Sequence, residues 1–189
     1  MKLILALGNP GDRYRDTRHN AGWWLADHFA TRWSFGSFRP SGPEASVDGR
    51  VDGREVRIVK PLTYMNRSGR VLSRYLAVPG FRFEADLLVL VDDAALSPGR
   101  FRLKGRGSGG GHNGLLSVEE TLDSREYARL RIGVGAPDHP DLDLVDWVLG
   151  VPSSRDEEAV LEQFGRMALA TESWLTEGVE SAMNAFNSA

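Results

Sequence analysis

Apolar residues along this chain come in two patterns, short unbroken runs and longer stretches with helical spacing. Leu3 to Leu7 is a compact run stopped by Gly-Asn-Pro-Gly, which predicts a buried strand and then a turn. Residues 46–60 alternate apolar and polar around two Asp-Gly pairs, a hairpin pattern that finishes in the buried-looking VRIVKP. Leu87 to Val91 is a five-residue run ending at Asp92-Asp93, the profile of a central strand delivering carboxylates at its C-terminal end. Phe101 to Lys104 and the segment LRIGVG read as two further strands. Between them lie stretches of helical period. Asn20 to Trp33 places Trp23, Trp24, Ala26, Ala30 and Trp33 along one side. Asn66 to Ala77 carries Val71, Leu72, Tyr75 and Leu76 on one face and stops at Pro79-Gly80. Helices are also predicted for Asn113 to Leu122, for Leu142 to Leu149 after a Pro-rich connection, and for Ser153 to Glu177. Strands alternating with helices predict an α/β fold, with residues 1–189 as a single domain around a twisted mixed, mostly parallel sheet flanked by helices.

Composition narrows the class without naming a chemistry. The chain has 189 residues, enough for one substantial core, and its 41% hydrophobic and 26% charged content is that of a globular protein. No apolar run approaches the roughly 20 residues of a membrane span, and the start is too short for a signal-peptide core of about 7–15 residues. The absence of cysteine excludes disulfides and thiolate metal sites and fits a reducing cytoplasm, the expected location. Asn66-Arg67-Ser68 matches a glycosylation acceptor, a pattern discarded in the absence of a secretory signal.

Charge adds one local feature. The net charge of −3 conceals −9 from Asp138 onward and +6 before it. Ala94 to Val118 holds Arg100, Arg102, Lys104 and Arg106 and no carboxylate, so a local polyanion contact competes with a merely solvated basic strand.

The glycine-rich LKGRGSGGGHNGLL, Leu103 to Leu116, invites a nucleotide reading that its context does not support. Gly105 to Gly110 satisfies G-x-G-x-x-G, yet the preceding strand is short and charged and no acidic residue closes the next strand. A Walker loop lacks its Gly-Lys-Ser/Thr, and a nucleophile elbow fails because Arg106 stands where glycine is needed before Ser108. His19, His28, His112 and His139 are scattered, which predicts no bound metal. What remains is a set of small polar residues at turns: Asn9, His19, Asn20, Asn66, Asp92, His112 and Asn113. Ligands of α/β sheets bind beyond the C-terminal strand ends, where Asn9, Asp92 and the His112-Asn113 loop should meet. One His with one Asp suits a water-activating base, and carboxamides suit a developing oxyanion or a substrate amide. Singly, Asn20, Asn66 and Asn113 also read as helix N-caps and His19 as a surface histidine. Together on one rim, they favour a site.

Five motifs carry a resemblance over essentially the whole chain. They are the LxLGNPGxxYxxTRHNxG pattern at Leu5 to Gly22, KPLTYMNxSG at Lys60 to Gly69, VLVDD followed by PGR at Val89 to Arg100, GSGGGHNGL at Gly107 to Leu115, and RLRIGVG at Arg129 to Gly135. In this order and spacing the sequence resembles bacterial-type peptidyl-tRNA hydrolase, and not the unrelated archaeal-type enzyme. The resemblance implies hydrolysis of the ester joining a peptide, or an N-blocked aminoacyl group, to the 3′-terminal ribose of tRNA, which recycles tRNA from aborted translation. It implies a monomer with no metal or organic cofactor and no membrane, contacting the acceptor end and 5′-phosphate region of peptidyl-tRNA. The general base falls on His19 and its orienting carboxylate on Asp92, while Asn9, Asn66 and Asn113 fall on positioning amides. Asn9 is the residue expected to separate blocked from free aminoacyl-tRNA. Tyr14, Tyr64 and Met65 fall on substrate contacts, and Lys104 and Arg131 on a clamp for the 5′-phosphate. Two positions depart from many family members. Ala95 replaces a second carboxylate three residues after Asp92, which bears on how that loop is held. Leu116 replaces a Lys, which removes one basic tRNA contact and either weakens binding or shifts it onto Arg100, Arg102 and Arg106. Relatives that keep the fold and lose catalysis bind RNA, and this alternative is opposed by retention of His19, Asp92 and the three asparagines.

Overall fold

The computed structural model describes residues 1–137, 139 and 141–187. Two members of the Pro-rich connection, Asp138 and Pro140, lie outside the described residues. The chain runs β1 (Lys2–Ala6), α1 (Ala21–Arg32), β2 (Arg39–Ser41), β3 (Glu44–Val51), β4 (Arg54–Pro61), α2 (Ser73–Leu76), α3 (Phe83–Asp86), β5 (Leu87–Asp93), β6 (Phe101–Lys104), α4 (Asn113–Leu122), β7 (Ala128–Gly133), α5 (Leu144–Val148), α6 (Ser154–Glu162), α7 (Phe164–Glu177) and α8 (Val179–Phe186).

The seven strands form one sheet in the order β2-β3-β4-β1-β5-β7-β6. β1 pairs in parallel with both β4 and β5, and β5 with β7. The β3–β4 hairpin turns at Asp52-Gly53, both with positive φ (47° and 77°), as a two-residue hairpin loop requires. The other Asp-Gly pair, Asp48-Gly49, lies inside β3. Parallel pairing is therefore confined to the four central strands, with antiparallel strands at both edges.

Helices cover both faces, which explains why β1 and β5 are apolar without alternation: all seven residues of β5 are buried. On one face Ile4, Ala6, Leu88, Leu90, Leu130 and Ile132 pack with Leu25 and Phe29 of α1 and Met167 and Trp174 of α7. On the other, Leu3, Leu5, Val89 and Val91 pack with Leu115 and Val118 of α4 and with Val71 and Leu72. Val71 and Leu72 belong to a 3-10 helix, Met65–Leu72, followed by the single turn α2, where the sequence suggests an α-helix over 66–77. The tighter coil seats Gly69 directly on α4, its N–H donating to Ser117 Oγ at 3.0 Å.

The helix expected over 153–177 is two, α6 and α7, and α8 follows where no helix is expected. α7 stops at Gly178, whose φ of 91° ends it. α8 lies against β6, and just after it the Asn187 side chain accepts from the Leu103 N–H and donates to the Leu103 carbonyl, both at 2.9 Å.

Because β1, β4 and β5 are parallel, the loops that follow them open at one end of the sheet. The first turn of α1 is pressed onto that end: a Cβ on Gly22 would lie 2.6 Å from the Leu7 carbonyl oxygen and 2.7 Å from that of Leu90. Both contacts are backbone and cannot swing aside. Gly22→Ala is expected to lower the stability to urea unfolding by about 2–4 kcal/mol as the helix is pushed off the sheet.

Candidate active site

Asp92 is the last buried residue but one of β5, and its carboxylate meets one histidine on each oxygen. His19 Nδ1 lies 2.9 Å from Oδ2 and His112 Nε2 lies 2.8 Å from Oδ1. The two imidazoles stand 4.8 Å apart, centroid to centroid, tilted by 50°. His19 arrives from the 3-10 turn Arg18–Asn20 that leads into α1, and His112 from the residue before α4. Burial alone would raise the Asp92 carboxyl, but the His112 and His19 imidazoles and their hydrogen bonds outweigh it and hold the group well below the usual carboxylate range.

The surroundings of each ring assign its tautomer. His112 Nδ1 accepts from the backbone N–H groups of Gly114 (3.1 Å) and Leu115 (3.3 Å), so its proton sits on Nε2, which donates to Asp92. His112 is thus the N-cap of α4, and Asn113 is its first residue. His19 gives Nδ1–H to Asp92, leaving Nε2 as the nitrogen that can exchange a proton with a molecule in the adjoining cavity.

That cavity, of about 430 Å³, is lined by His19 and Asp92 together with Asn9, Tyr64, Met65, Asn66, Asn113 and Arg131. Eight of the ten residues to which the resemblance gives a role therefore meet at one place. Tyr14 and Lys104 do not line the cavity. Tyr14 packs edge-on against Tyr64 at 6.4 Å, extending the rim, and Lys104 lies on β6. His112, expected on the same rim, lines it too, and the structure adds Asp93, Gly109 to Gly111, and an apolar wall from Leu144, Val145, Val148 and Leu149. The apolar wall carries no motif that its sequence could have advertised. His112 had a signal, its place before a predicted helix, but its partner is twenty residues away.

No asparagine of the set caps a helix by its side chain. Asn20 donates to the Asn9 carbonyl (3.0 Å) and accepts from the Asn9 N–H (2.8 Å), which pins the Asn9 backbone. Asn9 Oδ1 accepts from the Met65 N–H at 2.8 Å, leaving its NH₂ as the group to face a substrate. Asn66 and Asn113 are exposed on the rim.

The loop after Asp92 is held without a second carboxylate at Ala95. Asp93 Oδ1 accepts from the Ala95 N–H at 3.0 Å, and its backbone carbonyl accepts from Val134 at 3.1 Å. Asp93 also pairs with Arg131 at 2.9 Å. Register places Arg102 opposite Arg131 and Lys104 opposite Arg129, so four cations share one face of β6 and β7. Arg129 is fully buried and faces Glu119 (3.7 Å) and the Tyr127 ring (4.0 Å). Among the described residues, Arg102 and Lys104 carry no ion pair.

The sequence suggested scattered histidines, whereas folding gathers two of the four onto one carboxylate. His19, Asp92 and His112 form the one cluster among the described residues with a metal-binding composition, their ligand atoms within 4.8 Å of one another. Both carboxylate oxygens and His112 Nδ1 are already engaged in hydrogen bonds within the protein.

The peptidyl-tRNA hydrolase family model matches residues 3–189. The chain is 46% identical to the peptidyl-tRNA hydrolase of Gemmatimonas aurantiaca, with 97% of this chain and 98% of that protein covered. It is 45% identical to that of Symbiobacterium thermophilum, covering 98% of each. Among solved structures, the peptidyl-tRNA hydrolase of Acinetobacter baumannii superposes with a TM-score of 0.86 at 32% identity, over 100% of this chain and 95% of that one.

The geometry makes His112 a structural group in two senses, cap and carboxylate partner. His112→Ala should lower unfolding free energy in urea by about 2–4 kcal/mol, since two helix N–H groups and one buried carboxylate oxygen lose their partner. His112→Asn, which restores a capping oxygen, should recover about 1 kcal/mol of that loss.

Proposed function

The chain belongs to the peptidyl-tRNA hydrolase family and hydrolyses peptidyl-tRNA, and we propose that His19 is the general base of that reaction. The observation that carries this reading is the His19 imidazole with Nδ1 committed to buried Asp92 and Nε2 left for the cavity. A water in the cavity gives a proton to Nε2 and its oxygen attacks the ester carbonyl carbon. Negative charge collects on the former carbonyl oxygen, and the Asn9 NH₂ is the donor for it. Collapse breaks the bond to the ribose oxygen, which takes the proton back from the imidazolium. Asp92 orients the ring and balances its charge while protonated.

The second N–H of Asn9, with Asn66 and Asn113 on the rim, addresses the first peptide bond, which a free aminoacyl ester lacks. A site with amides unpaired against the wrong substrate discriminates by several kcal/mol. Tyr14 and Tyr64 offer ring faces to the unpaired acceptor end, where stacking is the usual recognition. Met65, 4% exposed, lines the cavity as a further substrate contact. Lys104 and Arg131 bind the 5′-phosphate, Arg131 held in place by Asp93 and Lys104 carrying the unpaired charge. The substrate arises where translation occurs, in the cytoplasm, and no described helix is long and apolar enough to cross a membrane.

Release of free tRNA from N-acetyl-aminoacyl-tRNA tests the base. His19→Ala should lower kcat by about 10²–10⁴ with tRNA binding kept. The rate should fall on the acid side, a limb that does not belong to Asp92, which stays ionised throughout, and Asp92→Asn should move this limb. Wild-type protein that binds tRNA and leaves the ester intact would favour an RNA-binding role instead. For the phosphate site, Lys104→Ala should reduce the slope of log affinity against log salt by about one, with turnover at saturation little changed. An unaltered slope removes Lys104 from the contact.

A further inference from the structure

Arg18 precedes His19 in the catalytic 3-10 turn, is 5% exposed, and directs its polar contacts at one segment. Its Nη1 donates to the carbonyls of Trp147 and Val151, both at 3.2 Å, and its backbone N–H to Gly150 at 3.1 Å. Its guanidinium lies 3.6 Å from the centroid of the Trp147 ring, a stacked cation–π contact. The same indole donates from Nε1 to the Gly135 carbonyl at 2.6 Å, so Trp147 is clasped from two sides. These ties hold the C-terminal end of α5, a helix of only five residues.

α5 is also the apolar wall of the cavity. Val148 and Leu149 line it from below, while Leu144 and Val145, 51% and 55% exposed, extend the wall outward. A helix this short does not hold its own position, and the side chain that fixes it is the neighbour of the base. The wall matches one part of the substrate. Phosphates and ribose are polar, and the acceptor bases have Tyr14 and Tyr64 to stack on, so the part left for an aliphatic surface is the acyl side chain beside the ester.

Resting on the hydrolase reading, we propose that Arg18 is a positioning residue for substrate selection: it sets the distance between the apolar wall of α5 and His19, and so the preference for an apolar residue next to the scissile ester. It acts through α5 and touches no reacting atom. Planarity matters, because two carbonyls and a ring face must be met at once, and lysine keeps the charge but not that shape.

The test uses N-acetyl-leucyl and N-acetyl-glycyl groups on one tRNA sequence, so that only the acyl side chain differs. Arg18→Lys should raise KM for the leucyl substrate about tenfold, with kcat and the acid limb of the pH profile within about twofold of wild type. KM for the glycyl substrate should change less than about twofold. Trp147→Leu, which removes the ring under the guanidinium and leaves the catalytic turn intact, should give the same selective rise, and it decides the matter alone if Arg18→Lys fails to fold. Equal rises for both acyl groups, a fall in kcat at constant KM, a displaced acid limb, or no change would each overturn the inference. Failure of the wild-type protein to cleave either substrate counts instead against the hydrolase reading.

Discussion

A buried carboxylate with an imidazole on each oxygen is the constraint around which the other parts of this molecule are arranged. Asp92 sits at the end of a strand covered on both faces, where an unpaired charge would be strongly unfavourable. Its two partners come from different layers. His19 precedes α1, which packs on one face of the sheet, and His112 precedes α4, which packs on the other. The carboxylate therefore ties the two cores together at the end of the sheet where the cavity opens. Satisfying it demands that both layers be seated, which is what the close approach of Gly22 to β1 and β5 and of Gly69 to α4 provides.

The two histidines are equivalent in type and unequal in freedom. His112 receives two backbone N–H groups on Nδ1, so a second proton there would set N–H against N–H. His19 has no such obligation on Nε2. On the proposed mechanism the proton traffic belongs to one ring, and the other serves as scaffolding. The same economy appears in the carboxamides, where Asn20 holds the backbone of Asn9 and Asn9 itself gives up its oxygen to Met65. What remains for a substrate is a donor, which suits a carbonyl acquiring negative charge.

Much of this was legible from residue order. The runs at Leu3 and Leu87 read as buried strands because both their faces are covered, and the helix from Asn113 to Leu122 matches its α4 bounds. Asn9, His19, Asn66, Asp92 and Asn113 were identifiable because they stand just beyond strand ends or at helix starts. The role of His112 was hidden because its partner is remote and a glycine-rich approach masks an imidazole cap. Arg18 was hidden likewise, since it binds carbonyls 129 and 133 residues away, and carbonyls are the same in every residue. The break between α6 and α7 was missed because polar and apolar positions continue across it, and α8 because it is short and its anchor, Asn187, follows it.

That anchor has a wider meaning. β6 is an outer strand, and outer strands invite further pairing through their unpaired backbone groups. At Leu103 the partner is a single side-chain amide, which imitates the donor and acceptor of a neighbouring strand. Unlike a strand, a carboxamide has no second edge to present. A sheet finished in this way is sealed at that position, and the amide that seals it leaves the side chains of Arg102 and Lys104 uncovered by any ion pair among the described residues.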